Sequence, residues 1–227
     1  MKRPVSSENV ALFALLMYAC LALSTHAGVI QGFDNQTNIA NYSSGTTLGT
    51  FTAGSVTDLY VGYTLVWHSG DVGDNKFVVL YFGSPSGGVN FGLKSNQGPG
   101  NEDFMVRYGS SAPIEYADAQ VSIPTSLRVV GRIQDTNSDG DYDTAALWVD
   151  PGAGDLNTPD ASIDAFVMTV GSSPLGLRSV NLTGDDIDLL DIVVADDFAN
   201  ARAIPEPALF GLLALFCLCP RSARLCG

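Results

Sequence analysis

Residues 28–201 predict an all-β sandwich, and three observations carry that prediction. Short runs rich in Val, Ile, Leu, Tyr, Phe and Thr recur along this stretch; Gly, Asn, Asp, Ser and Pro separate them; and no long segment repeats its apolar residues every three or four positions, as an amphipathic helix would. Ten short strands with turn signals between them suit two packed sheets. The 227 residues are enough for one medium domain with a real core.

In chain order the predicted strands are TLGTFTAG (47–54), LYVGYTLVW (59–67), KFVVLYFG (76–83), VNFGLKS (89–95) and DFMVRYG (103–109). SLRVVGRIQ (126–134), DTAALWVD (143–150), IDAFVMTV (163–170), LRSVNLTG (177–184) and IDLLDIVVAD (187–196) come next. Within DTAALWVD, Ala145, Leu147 and Val149 face one way and Thr144, Ala146 and Trp148 the other, so this strand is expected to be covered on at least one face.

The two ends read differently. Lys2 and Arg3 precede the apolar run VALFALLMYACLAL and the small-residue stretch STHAG, which predicts a secretory signal peptide over residues 1–27, helical and cut after Ala27. At the other end, Pro205, Glu206 and Pro207 precede a second apolar run, Ala208 to Cys219. As a helix this run covers roughly 18 Å of a hydrocarbon core about 30 Å thick, too short for a secure permanent span. Arg221 and Arg224 behind it hold the C-terminus on the cytoplasmic side by the positive-inside rule. The two prolines keep Glu206 in extended chain that a processing enzyme can grip.

Residues 203–227 resemble the PEP-CTERM sorting signal of Gram-negative bacteria: Pro-Glu-Pro, an apolar segment, then basic residues at the extreme C-terminus. The resemblance implies recognition by a membrane-embedded exosortase, a transpeptidase-like cysteine enzyme. It further implies that the membrane holds the tail before processing and that the body reaches the cell surface or extracellular matrix. A plain C-terminal membrane anchor is the alternative reading of the same residues.

Between these ends the chain carries 22 acidic side chains against 7 basic ones, a net of about −15. Such a surface repels nucleic acid and anionic lipid headgroups and suits cations, basic proteins or neutral sugars. Residues 28–203 contain no cysteine, which excludes a disulfide, a thiolate nucleophile and a cysteine metal site there.

YVGYTLVW, FVVLYFG, NFGLKS, the segment SLRVVGRIQDTNSDGDYDTAALWVDP and finally VNLTGDDIDLLDIVVADDFANA resemble, in this order, the concanavalin A-like or laminin-G-like jelly rolls of bacterial surface proteins. The resemblance implies a jelly-roll sandwich over residues 28–201 that binds carbohydrate or builds surface structure. Only some such domains are enzymes.

The sharpest local motif is DTNSDGDYD. Asp135, Asn137, Asp139, Asp141 and Asp143 stand at positions one, three, five, seven and nine of an EF-hand-type calcium loop, with Gly140 at six. Position twelve is Ala146, where a bidentate Glu belongs, and the residues after it read as strand. A polar hairpin turn between two strands accounts for the same residues, so calcium loop and turn both stand. A second acidic run, Gly184 to Asp191, offers Asp186, Asp188 and Asp191 as an ion site or a sugar-binding edge, or else as a solvated loop.

Catalysis by the commoner routes lacks parts. His68 is the one histidine left once residues 1–27 are removed, and no G-x-S-x-G elbow accompanies it. A glycan-active enzyme of the jelly-roll type needs paired carboxylates on one strand, and Glu102 and Glu115 have no Asp two residues away in a strand-like context. The expected function is therefore non-enzymatic, carbohydrate-binding or structural, with the glycan-active enzyme as the alternative. Tyr60, Tyr63, Trp67, Tyr81, Phe82 and Phe91 are candidates for stacking on sugar rings from a concave sheet, most of them competing with a role in the core.

Overall fold

Alternation along the strands resolves into two six-stranded antiparallel sheets in the computed structural model, which describes residues 28–54, 56–98, 103–110, 113–164, 166–169 and 172–203. The first sheet runs β1 (Val29–Phe33), β12 (Asp186–Ala195), β3 (Asp58–Ser69), β8 (Thr125–Gln134), β9 (Thr144–Val149) and β10 (Ala161–Ile163). The second runs β2 (Thr46–Thr52), β11 (Ser172–Val180), β4 (Phe77–Phe82), β5 (Val89–Lys94), β6 (Phe104–Tyr108) and β7 (Ile114–Ala117). The fold is an all-β jelly-roll sandwich that also carries a short α-helix, α1 (Phe198–Arg202). The expected terminal helices, the Pro205–Glu206–Pro207 motif, Arg221, Arg224 and the apolar run 208–219 lie outside the described residues. Among the described residues no helix is long and apolar enough to cross a membrane.

Period-two patterning builds the core. Leu59, Val61, Tyr63, Leu65 and Trp67 of β3 point inward and are fully buried against Leu80 and Phe82 of β4 and Phe91 and Leu93 of β5. Phe82 meets Phe51 and Phe91 edge to face, with ring centroids 5.5 and 6.0 Å apart. All six aromatics considered for sugar stacking are buried. Tyr63, Trp67, Phe82 and Phe91 belong to this core, Tyr60 packs beneath α1, and Tyr81 lies against Gly176 on the outer side of the second sheet.

The outer face of the first sheet carries a second apolar layer. Tyr60, Val130, Ala146, Trp148 and Ala195 project away from the core and are covered by Phe198 and Ala201 of α1. Trp148 is therefore buried as fully as its neighbours in the main core, and β9 is covered on both faces. Asp197 caps the helix by accepting a hydrogen bond from Asn200 N at 2.8 Å. At the other end Arg128 reaches through from β8. Its Nε and Nη2 donate to the Ala201 carbonyl, Nη2 also to Ala203 O at 3.2 Å, and Nη1 to Asp191 O at 3.0 Å. The bonds to Ala201 and Ala203 satisfy carbonyls at the C-terminal end of the helix, and the one to Asp191 reaches β12. Gly62 of β3 makes the approach feasible, since a Cβ there would collide with the Ala201 oxygen.

Three strands escape the sequence pattern and one expected strand is absent. β1, β7 and β10 are edge or near-edge strands of three to five residues, too short to show periodicity. Of the expected strand 163–170, Ile163 closes β10 and Met168 makes a single bridge to Tyr142. β11 starts at Ser172, earlier than LRSVNLTG suggests, because Pro174 and two serines disguise it. Pro174 is tolerated since β4 begins to pair only at Leu175, leaving β2 as the sole ladder partner at the proline.

Candidate functional site

On the outer face of the second sheet, strand register brings together residues that are distant in sequence. Phe77 opens β4, projects outward and stands between Val180 of β11 and Lys94 of β5. One position along on the same face, Arg178 of β11 opposes Val79. Arg107 of β6 opposes Asn90 on that face of β5. Gly92 has φ of +143°, and a Cβ on it would fall 2.5 Å from both Tyr63 Oη and Val78 O, so the position accommodates no larger residue.

The result is two guanidinium groups over one ring. The Arg107 and Arg178 Cζ atoms lie 5.3 and 5.5 Å from the Phe77 centroid, within cation–π range. Lys94 Nζ is 5.9 Å from the Tyr116 ring centre and donates to Tyr116 Oη at 3.2 Å. Arg178 Nε donates to Ser43 O at 2.9 Å, and Arg107 Nη1 to Ser110 O at 3.3 Å. Nε and Nη2 of Arg107 are buried without a hydrogen-bond partner, and the residue as a whole is only 7% exposed. A cavity of about 290 Å³ opens here, walled by Lys94, Arg107 and Arg178 over Phe77 and rimmed by Asn75 and Asn181. Among the described residues, neither Asp nor Glu lines it. Burial pulls the Arg107 pKa below its usual value, and the nearby Arg178 charge pulls the same way.

The motif residues 135–143 form the β8–β9 hairpin loop, and their side chains serve the loop's own backbone. Asp135 accepts from Ser138 N at 2.6 Å and Gly140 N at 3.0 Å; Asn137 accepts from Asp139 N at 3.0 Å; Asp139 accepts from Asp141 N at 2.9 Å. Asp143 accepts from the Thr136 hydroxyl at 2.7 and 2.8 Å, and Asp141 from the Thr169 hydroxyl. Gly140 and Ser138 take positive φ, as the turn requires. A cavity of about 360 Å³ lies beside the loop, with Asp135, Tyr142 and Val56 in its wall.

The second acidic run does meet His68. His68 Nε2 lies 3.0 Å from Asp188 Oδ2, and Asp186 completes a trio whose ligand atoms fall within 4.8 Å of one another. Asp188 also accepts from Asn38 N, and the hydrogen bond that the His68 ring donates to this carboxylate raises the His68 pKa above its ordinary 6.5. Asp191 stands apart, with φ of +51° and its backbone nitrogen donating to Asn35. Glu115 is exposed on β7, and Glu102 lies outside the described residues.

No family model matches the sequence, and no curated protein matches it. Among solved structures the chain is similar to the metal-free carbohydrate recognition domain of Emp46p, with 10% identity over 73% of this chain and 88% of that one at a TM-score of 0.46. It is similar to the exoplasmic/lumenal domain of VIP36 in its Ca2+/Man3GlcNAc-bound form, with 12% identity over 73% and 83% of the two chains at 0.42. A glycosyl hydrolase family protein from Mycobacterium fortuitum aligns with 13% identity over 64% and 66% at 0.40. Such identities transfer no residue roles, so the site rests on the chain's own geometry.

Sequence reasoning missed this site because its residues sit on four strands. The available signal was a basic residue inside each of three apolar strand contexts, GLKS, MVRYG and GLRSV, in a chain otherwise rich in acid.

Proposed function

We propose that this chain is an exported, non-enzymatic surface or matrix protein that binds extracellular polysaccharide on the outer face of its second sheet. In this reading the C-terminal tail is sorted by an exosortase. The observation that carries the binding role is the cavity over Phe77. Phe77 is buried and holds two guanidinium groups from below, and the cationic and amide side chains around the cavity supply nitrogen donors for the oxygens of a sugar, the few placed polar groups that orient a ligand in small-molecule sites. The support for binding over catalysis is chemical. Glycoside hydrolysis needs a carboxyl pair flanking the bond, and the residues around this cavity supply cations and amides instead.

The test is affinity electrophoresis of the full chain through gels containing a panel of polysaccharides, with Arg178→Ala run beside it. Arg178 is half-exposed, so its truncation leaves the core intact. Retardation by at least one polymer, reduced in the variant, is the expected result. Equal retardation of both proteins would move the ligand to another surface.

A further inference from the structure

We infer that the cavity over Phe77 selects acidic sugars, with a uronate-type carboxylate held by Arg107 and Arg178. This rests on the polysaccharide-binding reading above and specifies its substrate class.

The first argument is the missing counter-charge. The chain places 22 acidic against 7 basic side chains over residues 28–202 and pairs other cations with them: Lys76 with Asp185, and Arg132 with Asp58 at 3.8 Å. On the outer face of the second sheet it gathers Lys94, Arg107 and Arg178 around a cavity with no carboxylate among the described residues of its lining. Two guanidinium groups sharing one ring repel each other and lose hydration, and an anion between them relieves both costs.

The second argument is which donors lack a partner. Nε and Nη2 of Arg107, the unpartnered atoms, form one edge of the guanidinium, and that edge matches the two oxygens of a carboxylate. Buried donors left unpaired destabilise the fold that holds them, so a ligand that completes them with a charged acceptor gains more than one offering a neutral hydroxyl. Both atoms are closed to water as the side chains stand, so seating the carboxylate on them requires the side chains around Arg107 to move.

The third argument concerns the kind of polyanion. The cavity, about 290 Å³, is at the small end for ligand sites and suits a single sugar unit. Duplex DNA carries a charge about every 1.7 Å, against which a chain of this net charge is strongly opposed. A polyuronate carries at most one charge per sugar, and beyond a Debye length of about 8 Å the protein's own carboxylates are screened from it. Net charge alone points to cations and neutral sugars; the local arrangement overrides it.

The probe is polygalacturonate oligomers titrated calorimetrically into the full chain in EDTA, with the same oligomers after reduction of their carboxyl groups as the neutral counterpart. Arg178→Gln and Lys94→Gln are the variants, and Arg107→Lys keeps the charge while removing the fork. Binding of the acidic oligomer, weakened about tenfold by each substitution and by raising the salt, and absent for the reduced oligomer, is expected. Equal binding of the two oligomers would overturn the acidic preference while leaving polysaccharide binding in place. Binding of neither, alongside retardation by other polysaccharides in gels, would overturn the substrate class alone; no saccharide bound in either assay removes both. Single-stranded DNA binding as tightly through the same arginines would also overturn it.

Discussion

Arg128 and Ala201 are 73 residues apart in sequence and are joined by two hydrogen bonds from one guanidinium to one carbonyl. Burial depresses the Arg128 pKa to about 10, partly offset by Asp191 and Tyr63, and the side chain stays charged at neutral pH. It ties β8 to the end of α1 and, through Asp191, to β12. Replacing Arg128 with Ala removes these bonds and leaves several carbonyls unpaired, an expected loss of about 3 kcal/mol in chemical denaturation. Gly62→Ala should cost a similar amount by pushing α1 off the sheet; wild-type stability in both variants would show that the helix docks independently.

His68 gives a pH signature. Its hydrogen bond to Asp188 raises the pKa in the folded protein, with Asp186 adding to the effect. A raised folded pKa means the stabilisation is complete below 6.5 and fades as pH rises through the folded value. An NMR titration should place the His68 midpoint above 6.5 and return it toward 6.5 in Asp188→Asn. An unmoved midpoint in that variant would remove Asp188 as the cause.

Asp135 holds two backbone N–H groups of the β8–β9 loop. Asp135→Ala should therefore destabilise the protein by about 1–2 kcal/mol, and should do so in EDTA, because the lost partners belong to the chain. A loss that appears only when calcium is supplied would assign the carboxylate to an ion.

The proposed processing of the tail makes a prediction separate from folding. Substituting alanine for Pro205, Glu206 and Pro207 should leave export intact and abolish C-terminal cleavage in the native host, read as the mass of the mature protein. Cleavage at the same position in the variant would remove the sorting signal from these residues.

The sequence foretold the sandwich well where strands are long and buried on alternate sides, as in β3, whose five inward residues alternate without a break. It said little where a strand is three to five residues at an edge, since β10 and β7 take their structure from neighbours. Trp148 shows the boundary between the two. Its direction in β9 follows from the pattern, whereas its cover, α1, comes from a segment about 50 residues later. The cavity over Phe77 was hidden for a stronger reason. Arg107 and Arg178 meet only through the register of β6, β5, β4 and β11, and no local spacing encodes a register across four strands.

The pairing of β1 with β12 places Val29 opposite Ala195, and α1 comes directly after on the same sheet. Both ends of the described chain thus leave from one side of the sandwich, while the Phe77 cavity opens on the other, beyond two sheets stacked about 10 Å apart. If the proposed sorting of the tail tethers the protein at its C-terminal end, the tether would join it on the side that α1 covers, and the cationic face would be the one left free for a long polymer.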